Sequence, residues 1–125
     1  MANELILIVE DNEKNLKLAR DVLRFHGFRT VEATDGESAI ALSVEHLPAL
    51  VLMDIQLPGM DGIAAMKRIR ADARTKHILT VALTASVMSG DRERFDEAGF
   101  DGFIAKPIEV RSFPDQVRAY LEAKR

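Results

Sequence analysis

Leu50-Val51-Leu52-Met53-Asp54-Ile55-Gln56-Leu57-Pro58-Gly59-Met60-Asp61-Gly62 is an apolar run that stops on one carboxylate, followed by a turn-rich stretch. A short continuous apolar run bounded by breakers reads as a strand buried on both faces. Pro48 ends the segment before it, and Pro58 to Gly62 separates it from the next periodic segment. Three further runs end on a chemical group in the same way. Leu5–Val9 is followed by Glu10 and Asp11, Val81–Leu83 by Thr84, and Phe103–Ala105 by Lys106. If these runs are neighbouring parallel strands, acids, a hydroxyl and an ammonium meet on one rim of one sheet, where open α/β proteins bind ligands.

Between the runs lie stretches of helical period, so the order predicts an α/β fold built as (βα)5 around a parallel sheet. A first helix is expected from Glu13 to His26, capped by Asn12, with Leu16, Ala19, Val22 and Leu23 on one face and Gly27 as the stop. Arg29–Ala33 reads as the second strand. Asp35 caps a second helix to His46, with Ile40, Val44 and Leu47 expected to point inward. Ile63, Met66 and Ile69 mark a third helix, and Thr80–Thr84 the fourth strand. The charged stretch Val87–Glu97 offers mainly Phe95 and Ala98 to a core, predicting the loosest helix, ended by Gly99. Phe113, Val117, Tyr120 and Leu121 define the inner stripe of a final helix with Pro114 in its first turn.

The 125 residues suit one domain, expected over 1–125 with no output domain, and the 47% hydrophobic and 30% charged content is that of a globular protein. No apolar run approaches the roughly 20 residues that span a bilayer. No secretory signal precedes Leu5, so a cytoplasmic protein without membrane insertion is expected. The absence of Cys removes disulfides, thiolate nucleophiles and zinc-thiolate sites. His26, His46 and His77 are dispersed, which favours structural roles over metal ligation. A net charge of −3 lacks the basic footprint of a nucleic-acid binder.

A neighbour relation between first and third strands would open a crevice holding Glu10, Asp11 and Asp54. Three acids so placed repel one another or take a cation, and hard oxygen donors favour Mg²⁺. A carboxylate beside Mg²⁺ and an ammonium is a phosphoryl acceptor: Asp54 attacks, Lys106 offsets charge on the transferring oxygens, and the Thr84 hydroxyl donates to one of them. Singly, each residue is more often a solvated strand end or a helix cap than a functional group. Four strand ends in agreement make that plainer reading the weaker one, although spacing alone leaves the reaction open.

Val9-Glu10-Asp11-Asn12, Met53-Asp54-Ile55-Gln56-Leu57-Pro58, Leu83-Thr84-Ala85 and Ala105-Lys106-Pro107-Ile108 closely resemble the receiver domain of two-component response regulators, over nearly the whole chain and in the same order. The wording is similar to that of single-domain regulators of cell division. The resemblance implies a doubly wound, flavodoxin-like (CheY-like) sheet of order 2-1-3-4-5. It also implies that Asp54 accepts phosphate, that Asp11, Asp54 and the Gln56 backbone carbonyl ligate Mg²⁺, and that Glu10 helps through water. Thr84 becomes the switch hydroxyl, Ala85 leaves the phosphate uncrowded, and Lys106 binds it, with a cis Lys106–Pro107 bond. Phe103 matches an aromatic switch that rotates from exposed to buried, and the last strand with its flanking fourth and fifth helices becomes the docking face.

The implied partners are a sensor histidine kinase or histidine phosphotransfer protein and a downstream protein target, with the chain a monomer or weak dimer. Such a protein is no enzyme in the usual sense, though it catalyses its own aspartyl phosphorylation and dephosphorylation. Two features depart from common family wording. Glu10 stands where many relatives have Asp, and Phe103 lacks a tyrosine hydroxyl. Gln56 and Ser86 occupy positions that in the family tune attack by water. Two other readings compete: a small Asp-nucleophile phosphatase and a phosphorylation-independent binding module. A haloacid-dehalogenase-type phosphatase needs a second Asp where this chain has Gln56, and the binding module does not need Asp11, Asp54, Thr84 and Lys106 together.

Overall fold

The computed structural model describes residues 3–85 and 98–123. Its elements are β1 (Leu5–Val9), α1 (Glu13–Phe25), β2 (Arg29–Ala33), α2 (Gly36–His46), β3 (Leu50–Asp54), α3 (Gly62–Ala71), β4 (Leu79–Thr84), β5 (Gly102–Ala105) and α4 (Phe113–Ala123). The helix expected over Val87–Glu97 lies outside the described residues, as does Ser86. The five strands pair in parallel in the order β2-β1-β3-β4-β5, as the family resemblance implied. Element ends fall within a residue of expectation, with β4 and β5 each starting one residue earlier.

Every residue of β3 and β4 is buried, because helical layers cover both faces of a parallel sheet. Alternation along the strands divides the core. Ile6, Ile8 and Leu52 face the layer holding Leu23 of α1 and Phe113 of α4. Leu7, Val9 and Met53 face Met66 and Ile69 of α3. Register then sets the rim: Val9 lies beside Met53, Asp54 beside Leu83, and Thr84 beside Ala105, so all four functional strand ends finish at one end of the sheet.

Helix α1 starts as predicted, with the Asn12 side chain accepting from the N–H groups of Lys14 at 3.0 Å and Asn15 at 3.1 Å. Helix α2 departs from its sequence reading. It buries Gly36, Ala39 and Ser43, leaves Ile40 and Val44 half-buried, and ends on Leu47, which is 54% exposed. The cause is close approach to α3: a Cβ on Gly36 would stand 3.2 Å from the side chains of both Ala65 and Met60, so only small residues fit between the helices. The Ser43 hydroxyl donates to the Ala39 carbonyl at 2.7 Å, which satisfies it in the core.

Arg70, at the C-terminal end of α3, carries a role invisible in the hydrophobic pattern. Its guanidinium donates to the carbonyls of Lys76 at 2.7 Å, Ile78 at 2.6 Å and Gly99 at 3.2 Å, to Thr80 Oγ1 at 2.9 Å, and to the Asp101 carboxylate. One side chain thus ties α3, the approach to β4 and the approach to β5 together.

Candidate functional site

Each strand delivers its group because the chain leaves the sheet immediately afterwards. Glu10 follows β1 with its N–H still bonded to the Ala33 carbonyl at 3.0 Å, which holds it in the sheet and only 2% exposed. Its Oε2 accepts from the Asn12 N–H at 3.2 Å. Asp11, one residue on, is exposed. Asp54 ends β3, is 5% exposed, and its Oδ1 accepts from the Gln56 N–H at 3.1 Å.

The chain after Asp54 doubles back over the rim. Ile55 N–H donates to Leu83 O at 3.2 Å and Gly62 N–H to Ile55 O at 2.9 Å. Gly62 is required by space: a Cβ there would overlap the Asp54 carbonyl oxygen. The start of α3 therefore rests directly on the residue that carries Asp54's carboxylate.

Thr84 is buried at the end of β4, and its carbonyl accepts from the Lys106 N–H at 2.8 Å. The Lys106 side chain crosses back to place Nζ 2.7 Å from Glu10 Oε1 and 3.1 Å from Asp54 Oδ2. Burial pulls its pKa down, yet the Glu10 and Asp54 carboxylates outweigh burial and hold it above the ordinary lysine value. Lys106 is thus a persistent cation at neutral pH. The Lys106–Pro107 bond is cis, as the sequence resemblance implied.

These groups line a cleft of about 540 Å³. One carboxylate oxygen from each of Glu10, Asp11 and Asp54 lies within 4.8 Å of the others. Three carboxyl groups beside one ammonium make a cleft with acids in excess, an arrangement that suits a divalent cation. Glu10 Oε1 is buried, and the Lys106 ammonium at 2.7 Å is the neighbour that meets it among the described residues. A buried carboxylate oxygen with a single cationic neighbour keeps a lone pair that suits a hard cation or its bound water. Among the described residues this is the one such acid group.

The structure brings Glu10, Asp11, Asp54, Gln56, Thr84, Ala85 and Lys106 to the cleft. Phe103 is not among them. It is half-buried against the core layer that holds Met66 and Ile69. Asn12, read from sequence only as a cap, and Asn15 also line the cleft, and nothing in their spacing singled them out. Past Asn15 and Lys106 the cleft continues into a groove lined by Leu18, Pro107 and Ile108. None of the three histidines lines the cleft.

The model of the response regulator receiver domain matches residues 6–118. The chain belongs to the response regulator receiver family. This receiver is 42% identical over 116 residues, 93% of its length and 94% of the relative's, to the polar-differentiation response regulator DivK of Brucella anthropi. DivK of Brucella ovis shows the same identity and coverage. Among solved structures, a putative response regulator from Chloroflexus aurantiacus superposes with a TM-score of 0.89 at 31% identity, covering 96% of this chain and 98% of that one. The receiver domain of a sensor histidine kinase from Pseudomonas aeruginosa superposes with a TM-score of 0.87 at 32% identity, covering 97% and 99%, and holds a magnesium ion coordinated in its active-site cleft. The receiver is thus a module of two-component signalling. No helix among its described residues is long and apolar enough to cross a membrane.

Proposed function

We propose that this receiver, one domain over residues 1–125, takes a phosphoryl group onto Asp54 from a phosphohistidine and thereby changes which protein it binds. The donor is a sensor histidine kinase or a histidine phosphotransfer protein. The observation that carries this reading is Lys106 Nζ 3.1 Å from Asp54 Oδ2, inside a cleft that also gathers Glu10 and Asp11. When bound, Mg²⁺ would be held by Asp11, Asp54 and the Gln56 carbonyl, with Glu10 through water, and would neutralise charge on the phosphoryl oxygens.

The chain's own groups do the rest. The Gln56 N–H and the Lys106 ammonium hold one carboxylate oxygen each, so Asp54 is oriented before the donor arrives. A carboxylate oxygen attacks phosphorus, the phosphorus–nitrogen bond breaks, and its electron pair returns to the donor imidazole. Lys106 remains charged to meet the transferred group, and the Thr84 hydroxyl donates to a phosphoryl oxygen while Ala85 leaves space. The inward pull on Thr84 frees room for Phe103 to turn further into the core, altering the face that β5 shares with the neighbouring helices. Water later attacks phosphorus and restores the carboxylate, at a rate tuned by Gln56 and Ser86. The groove at Leu18, Pro107 and Ile108 gives the donor protein an apolar approach to the cleft.

Acetyl phosphate should label the protein only with Mg²⁺, and Asp54→Asn should abolish the label. Unchanged labelling of that variant refutes Asp54 as acceptor. Rapid multiple-turnover hydrolysis of small phosphate esters would instead support the phosphatase reading.

A further inference from the structure

The far end of α3 concentrates positive charge in an acidic chain. Residues 67–77 hold five lysines and arginines against the single acid Asp72, a net +4, while the whole chain carries −3 and the remaining residues therefore −7. Packing decides which of these charges face outward. Arg70 is spent on the carbonyls of Lys76, Ile78 and Gly99 and on the Asp101 carboxylate. Asp72 is spent on Arg74, whose Nε and Nη2 donate to its two oxygens at 3.0 Å and 2.7 Å. That leaves Lys67, Arg68 and Lys76, all exposed and paired with no carboxylate among the described residues. Lys67 and Arg68 line a shallow depression together with Ala71 and Asp72, and the Lys76 backbone is fastened beside it by Arg70. The helix dipole accounts for Arg68 and Arg70 in the last turn of α3, but not for Lys67 before that turn or Lys76 beyond it.

We propose that Lys67, Arg68 and Lys76 form a docking site for a short acidic segment of a partner protein. The sign of the patch selects an anion, and the charge on the rest of the chain selects its kind. Charges are screened over about 8 Å at physiological salt. A short acidic peptide seated on the patch therefore meets these cations and little of the −7 carried elsewhere. A nucleic acid or an anionic membrane extends well past that length and meets the acid-rich remainder, which repels it. Position separates the patch from the cleft. α3 begins against Asp54 and runs for 10 residues, so its far end stands about 15 Å away at the rise of an α-helix, beyond the screening length. A partner held there leaves the cleft open, and the site works whatever the state of Asp54.

The test titrates the full chain into a fluorescein-labelled oligoglutamate peptide at low salt and reads fluorescence anisotropy. A variant carrying Lys67→Glu, Arg68→Glu and Lys76→Glu should lose about tenfold or more in affinity, and the parent should weaken comparably when salt is raised to about 0.15 M. A control carrying Lys14→Glu, Arg29→Glu and Arg111→Glu, three exposed cations away from α3, changes the net charge equally and should lose no more than about threefold. Circular dichroism checks the fold of each variant. If the reversed variant does not fold, Lys67→Gln with Lys76→Gln is read in its place, with a loss of about threefold expected. Equal losses in the two triple variants overturn the site, because net charge alone then explains binding. A parent that does not bind oligoglutamate overturns it too. Tighter binding of single-stranded oligothymidylate or of phosphatidylserine vesicles than of oligoglutamate overturns the acidic-protein occupant.

Discussion

Replacing Gly62 by Ala sets two effects of opposite sign against each other at the residue on which α3 meets the end of β3 at Asp54. Helix propensity favours Ala over Gly by up to about 1 kcal/mol in a helix interior. Space opposes it. The new Cβ would overlap the Asp54 carbonyl oxygen and lie 2.9 Å from Ile55 Cα and 3.0 Å from Asp54 C. All three are backbone atoms, so no rotamer change relieves them, and α3 must move off the end of β3. Overpacking of this kind costs about 1–3 kcal/mol, and the backbone location puts this case at the upper end. After the propensity gain, a net loss of about 2 kcal/mol is expected. The movement also displaces the Asp54–Ile55 peptide, so Mg²⁺ affinity should fall about tenfold, the equivalent of 1.4 kcal/mol. Urea unfolding followed by far-UV circular dichroism measures the first quantity, and calorimetric Mg²⁺ titration the second. A variant as stable as the parent, with unchanged Mg²⁺ affinity, would show that the close approach does not position the site.

Two further outcomes follow from features away from the cleft. Arg70→Ala leaves several carbonyls and the Asp101 carboxylate without their shared donor. It should lose about 2–4 kcal/mol in urea unfolding, and Arg70→Lys should recover little because an ammonium lacks the planar fork; full rescue by Lys would contradict the hub. Hydrogen bonds from the Arg74 side chain and N–H hold the Asp72 carboxyl at about 2, below its ordinary value of 3.8. Because the folded value is the lower one, this contribution to stability is complete above about pH 4 and is lost as pH falls through 2. Asp72→Asn should flatten the acid limb of stability over that window, and an Asp72 carboxyl resonance titrating near 4 would refute the assignment.

Much of the site was legible because its signal is local. An apolar run and the residue that follows it are adjacent in sequence, so Asp54, Thr84, Glu10 and Lys106 could be picked out before any strand was paired. The second helix was read only in part, for the complementary reason. Ile40 packs on the core as its apolar period suggests, but Leu47 is exposed and the fully buried residues are Gly36, Ala39 and Ser43. Which face turns inward depended on how near α3 comes, and that distance is written in no single helix. Asn15 at the cleft, the carbonyls gathered by Arg70 and the bonds between the Tyr120 hydroxyl and the Phe103 backbone were hidden likewise.

Strand-and-helix alternation, the chemistry waiting at each strand end and the family's motif order belong to the linear chain, since each is expressed within a few neighbouring residues. Only tertiary packing decided that Lys106 bridges Glu10 and Asp54, that Gly62 must lack a side chain, and that the Tyr120 hydroxyl meets the Phe103 backbone. Those contacts join residues distant in sequence through atoms a few ångströms apart, and their energies depend on shapes that exist only once the layers have met.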